Sequence, residues 1–148
     1  MMNRFFPFWI FILLAFTGCK YEEGPFISFR ETETRLVGSW ELVRTFKNGE
    51  SYEKGEFSAN NPGTYYYFFF EGRMTVSALI NGQARSSNQG FWRFKNRDKE
   101  LEVDFQLPGE HYYYQAVIKR LTMSELRYEY YDSEGNLWRL EFYTRSHY

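Results

Sequence analysis

From Leu36 to the end of the chain, runs that alternate apolar and polar residues follow one another, separated by turn signals and without a sustained helical period. The runs cover 37–46, 64–70, 73–80, 89–95, 100–106, 111–120, 125–131 and 137–145, and they are rich in Tyr, Phe, Val and Trp. Most links are tight. Glu71-Gly72, Asn96–Lys99, Leu107-Pro108-Gly109-Glu110, Thr122–Ser124 and Asp132–Asn136 leave no room for crossover helices, so each strand must run antiparallel to the one before it. Pro108-Gly109 suits a type II turn. Asn81-Gly82 reads as a two-residue hairpin turn that extends the 89–95 strand back toward Gln83. The long link is 47–63, and loops of that length in a compact domain are often lids or binding loops. A short helical turn is expected over Arg30–Leu36.

Eight such strands suit an all-β, antiparallel up-and-down barrel, which removes exposed edges. One face of each strand is apolar. Trp92 and Phe94 oppose Arg93 and Lys95, Leu101, Val103 and Phe105 oppose Glu102 and Asp104, and Trp138, Leu140 and Phe142 oppose Arg139 and Glu141. Soluble and membrane-spanning barrels share this alternation. Short strands with intervening charges favour the soluble form, apolar face inward.

The first residues are an address. Arg4 precedes an apolar run from Phe5 to Phe16, shorter than the ~20 residues that span a bilayer as a helix. Phe16-Thr17-Gly18-Cys19 ends in the chain's one Cys and resembles the lipobox of bacterial lipoproteins. The resemblance implies cleavage before Cys19, acylation of its sulfur and anchoring in the outer membrane of a Gram-negative bacterium. Residues 1–18 are then a signal peptide, 19–35 a lipidated tether and 36–148 the barrel domain. Lys20-Tyr21-Glu22-Glu23 resembles the signal that sends some such lipoproteins to the cell surface, so the periplasmic face and the surface both stay open.

Composition narrows function. The net charge of −1 gives no basic face for nucleic acid, and one Cys with two His cannot build a closed zinc site or a disulfide framework. No phosphate loop, nucleophile elbow or metal-ligand cluster is present, so neither an enzyme nor a cofactor is expected. His111 and His147 read as solvated surface residues.

Gly38-Ser39-Trp40, at the start of the first strand, matches the Gly-x-Trp signature of lipocalins. With Gly90-Phe91-Trp92 and Leu137-Trp138-Arg139-Leu140, the chain over about 35–145 resembles the lipocalin-like domain of small Gram-negative lipoproteins. The resemblance implies that Trp40 plugs one end of the barrel, with an Arg from the last strand, Arg145, packed on it. The other end, carrying the 47–63 loop, would be the mouth.

Strict alternation then places Arg44, Phe46, Tyr66, Trp92, Tyr112, Tyr114, Tyr130 and Trp138 inward near that mouth. Two readings follow. In one, the barrel holds a small hydrophobic or amphipathic ligand, an anionic head meeting Arg44 and a tail among the rings. In the other, the rings fill the barrel, and the protein acts through its outer surface on glycans or envelope proteins. Tyr65, Tyr67 and Phe69 would face outward, covered by Phe26–Phe29 or exposed as an aromatic strip.

Overall fold

The computed structural model describes residues 21–23, 31–52, 59–80, 83–86 and 89–146. The segment ending in Cys19, the Phe26–Phe29 segment, Asn81-Gly82 and His147 lie outside the described residues.

A short helix, α1 (Thr32–Leu36), precedes ten strands: β1 (Gly38–Lys47), β2 (Glu50–Ser51), β3 (Tyr65–Phe68), β4 (Arg73–Ile80), β5 (Gln83–Ser86), β6 (Gly90–Lys95), β7 (Glu100–Leu107), β8 (Glu110–Leu121), β9 (Glu125–Tyr131) and β10 (Leu137–Ser146). Every pairing is antiparallel, and β10 returns to β1 to close the sheet. β5 and β6 lie along the same strand, β4, as one wall of the barrel. Ser77 faces Ser86 on β5, and Met74 faces Gly90 on β6. The result is a closed eight-walled up-and-down barrel with β2 added beside β1.

Local chemistry explains the elements. Alternation of large apolar residues puts Leu101, Val103, Phe105 and Leu107 of β7 inside and leaves the residues between them more exposed. Gly90 sits where β4, β6 and β7 crowd together; a Cβ there would stand 2.8 Å from Phe105 Cβ and 2.9 Å from Met74 Cγ. The long 47–63 link opens with a feature the sequence reading passed over. Asn48 (φ 53°) and Gly49 (φ 85°) make a tight hairpin between β1 and β2, the geometry Asn-Gly favours. β3 is shorter than expected because Phe70–Gly72 forms a 3-10 turn with Glu71 in the left-handed region.

At one end of the barrel, α1 is anchored by Leu36, which is fully buried. The Leu36 carbonyl accepts the Trp40 indole N–H at 2.7 Å. Arg35, 5% exposed, donates to the Leu121 carbonyl at 2.9 Å. A helix of one turn has no stability of its own, so these contacts hold it. The β3–β4, β6–β7 and β8–β9 turns share this helix end. The opposite end, the mouth, carries the long link and the β7–β8 and β9–β10 turns.

Two arginines are not where the sequence placed them. In the β1–β10 seam Leu42 faces Phe142 but Arg44 faces Glu141, which leaves Val43 as an extra residue. This bulge reverses the alternation: Thr45 becomes buried, Arg44 turns to the outer wall and Phe46 is only half-buried. Arg44 Nε lies 2.9 Å from Glu141 Oε2, outside the barrel. Arg145 is also outside, exposed, 3.5 Å from Glu41 Oε2 and 5.1 Å from the Tyr65 ring centroid. Arg145 is the extra residue of a second irregularity in the seam, where Ser39 faces Ser146 but Trp40 faces Thr144, and it follows the exposed Tyr143 onto the outer face. The buried arginine at the Trp40 end is Arg35.

Candidate functional site

Of the residues expected at the mouth, the fold gathers Tyr66, Tyr112, Tyr114, Tyr130 and Trp138, and adds Tyr128 from β9. Trp92 points inward but serves the other end, where its indole N–H is shared by the carbonyls of Phe69 (3.0 Å) and Arg73 (2.9 Å). The interior rings pack against one another. Tyr114 stacks on Tyr130 with centroids 4.0 Å apart, Tyr112 stacks on Phe105 at 4.9 Å, and Tyr66 meets Phe142 edge-on at 5.0 Å.

The tyrosine hydroxyls are occupied, that of Tyr112 by donating to Glu110 Oε2 at the rim (2.6 Å) and the others from within. Tyr114 and Tyr128 share a hydrogen bond of 2.8 Å. Tyr66 donates to the Ala59 carbonyl (3.3 Å), the Tyr112 hydroxyl accepts the Ala59 N–H (3.2 Å), and Tyr130 donates to Asn60 Oδ1 (2.9 Å). Ala59 and Asn60, both buried, therefore plug the mouth. Burial, reinforced by the neighbouring phenols, pushes the hydroxyls of Tyr66, Tyr114 and Tyr128 well above the usual tyrosine range. Burial also raises Tyr130, although the bond to Asn60 opposes it.

Outside this plug lies a groove of about 670 Å³, open to solvent and lined by Glu110, Tyr112, Tyr113, Tyr131, Glu134 and Trp138 among others. It follows the rim where β8 outruns β9: their ladder reaches Val117 opposite Glu129, while β8 continues to Glu110 against β7. Tyr113 and Tyr131 are 61% and 68% exposed, so their ring faces are free to be covered. Glu110, Asp132 and Glu134 line the groove; among the described residues no lysine or arginine is in its lining, and Lys47 Nζ stands 5.1 Å from the Trp138 ring centroid.

Asp132 organises one wall. It accepts from the Trp138 indole N–H (2.8 Å), the backbone N–H groups of Glu134 (2.9 Å) and Asn136 (2.8 Å), and the Asn136 side chain (2.9 Å). Burial would raise its carboxyl, but these hydrogen bonds outweigh it and hold the pKa at about 2. Asn48 then ties the β1–β2 hairpin to this turn, donating to Asn136 Oδ1 and accepting from the Leu137 N–H. Asp132, Asn48 and Asn60 escaped the sequence reading. Asn48-Gly49 and the Asp132–Asn136 spacing carried a turn signal; nothing local marked Asn60. His111, exposed and 2.8 Å from Asp104, borders the groove.

No protein family matches the chain, and no curated protein does. Among solved structures the chain is similar to a redesigned β-barrel. The two share 13% identity with a TM-score of 0.51, over 80% of this chain and 99% of the other. At that identity the likeness speaks for the barrel alone.

Proposed function

We propose that this chain is an envelope lipoprotein, anchored through Cys19, whose aromatic-filled barrel is a rigid platform and whose rim groove binds a polyhydroxylated ligand of the glycan class. The observation that carries this reading is where the polar groups go. Inside the barrel Ala59, Asn60 and the tyrosines satisfy one another, while the exposed ring faces of Tyr113 and Tyr131 lie at the rim beside the Glu110, Asp132 and Glu134 carboxylates, which already hold Tyr112, Trp138 and Asn136. Flat tyrosine faces stack on the apolar face of a sugar ring, and carboxylates accept its hydroxyl hydrogens. An anionic head would meet Glu110, Asp132 and Glu134 there, and Arg44 stands on the outer wall. The apolar run to Phe16 and the lipobox-like Phe16–Cys19 support the anchor and an outer-membrane address.

Titration of the isotope-labelled protein with neutral oligosaccharides and with fatty acids tests the binding reading. Oligosaccharides are expected to shift the Trp138 indole signal, and Tyr113→Ala with Tyr131→Ala to abolish that shift. Fatty-acid binding that instead releases the Tyr130–Asn60 contact would favour an interior ligand and overturn the rim reading.

A further inference from the structure

Three residues that belong to the tether by sequence are fastened to the barrel. Tyr21 is 3% exposed and donates its hydroxyl to the Asp98 carbonyl in the β6–β7 turn at 3.0 Å. The Arg35 guanidinium lies 5.7 Å from the centroid of its ring. Glu22 meets Lys119 Nζ at 2.7 Å. The Glu23 backbone N–H donates to the Lys119 carbonyl at 2.9 Å, and its carboxylate faces Arg127 at 2.8 Å and Arg139 at 3.4 Å. Asp98 and Arg35 both belong to the helix end, the end away from the rim groove.

We propose that Tyr21–Glu23 is a clip that seats the helix end of the barrel against a lipid bilayer and turns the rim groove away from it. This rests on the lipid-anchor reading of Cys19. The geometry follows from chain reach: one residue, Lys20, stands between Cys19 and Tyr21, and the two steps of chain span at most ~7 Å. Acyl chains on Cys19 therefore bring the membrane surface close to the Tyr21 site. The mouth lies about 20 Å further on, the length of a seven-residue strand tilted as barrel strands are. A free tether would let the barrel tumble on its anchor; a docked one fixes its attitude. Phe70, exposed on the β3–β4 turn at the same end, offers an aromatic contact to the interface.

The test uses the full acylated protein in vesicles of phosphatidylethanolamine and phosphatidylglycerol. Spin labels are placed singly at Arg97→Cys on the β6–β7 turn and at Glu134→Cys on the rim; an acylated Cys19 has no free thiol to take the label. Relaxation by oxygen, which concentrates in lipid, is compared with relaxation by an aqueous nickel chelate. The oxygen-to-nickel ratio is expected to be several-fold higher at position 97 than at 134. In the Tyr21→Ala, Glu22→Ala, Glu23→Ala variant, folded by circular dichroism, the two should approach parity. Equal ratios in the parent protein, or a higher one at 134, overturn the orientation while the anchor stands. A mass showing no acyl groups on Cys19 overturns the anchor reading itself.

Discussion

The Tyr130 hydroxyl donates to Asn60 Oδ1 at 2.9 Å, joining β9 to a loop 70 residues earlier and closing the barrel from inside. Asn60 is 5% exposed, so Asn60→Ala strands a buried phenol hydroxyl. That change is expected to cost about 1–3 kcal/mol, the desolvation penalty of one unmet polar group. Tyr130→Phe in the same background should recover part of the loss. Urea unfolding of the two single variants and the double checks it, and additive effects would mean the bond contributes nothing.

Trp40→Ala is expected to cost ~3–5 kcal/mol by unfolding measurements. Its ring is fully buried, and its N–H is what ties α1 to the first strand. A loss under ~1 kcal/mol would mean the end of the barrel closes without it.

Arg44 and Glu141 should respond unequally to removal. Arg44 is 57% exposed, and Arg44→Ala is expected to change stability by under ~1 kcal/mol, as for a surface ion pair. Glu141 is 7% exposed beneath Arg44, Arg127 and Arg139, and Glu141→Ala removes the carboxylate that these three guanidinium groups share, leaving Arg127 and Arg139 to Glu23. Its expected cost is about 1–3 kcal/mol. Denaturant midpoints for the two variants, compared at low and high salt, check the asymmetry.

Asp132 makes the fold acid-sensitive over a defined window. Its carboxyl is held at about 2 against an ordinary 3.8, so the folded state favours the ionised form. The stability this contributes is complete above the unfolded value and is lost as pH falls from about 4 toward about 2. Asp132→Asn should flatten that part of the urea-midpoint profile and leave the neutral range nearly unchanged in slope.

The buried tyrosines act at the other extreme. Tyr66, Tyr114 and Tyr128 are held above their ordinary value of 10.0, so the unfolded chain releases these protons first as pH rises. Stability is complete below about pH 10 and declines above it. Phenolate absorbance of these rings should therefore appear together with loss of the folded circular-dichroism signal.

The strand map was legible because period-two alternation and tight turns are local. The runs at 73–80 and 125–131 coincide with β4 and β9, and the others differ by a residue or two at their ends. Arg145 was partly legible: alternation from Trp138 turns it outward, whereas the lipocalin resemblance implies that it packs on Trp40. Arg44 was not. The bulge at Val43 comes from how β1 meets β10 across the closing seam, and no residue near Val43 announces it.

The sequence by itself determined an antiparallel meander with an aromatic face, because side-chain alternation and turn chemistry depend on neighbours a few residues apart. The tertiary structure alone decided that the tyrosine hydroxyls turn to Ala59 and Asn60 and that Tyr21–Glu23 docks on the barrel wall. Apart from Tyr66 and Ala59, seven residues apart, those partners stand tens of residues away, and closure of the sheet, which fixes the register of every strand at once, brings them within hydrogen-bond distance.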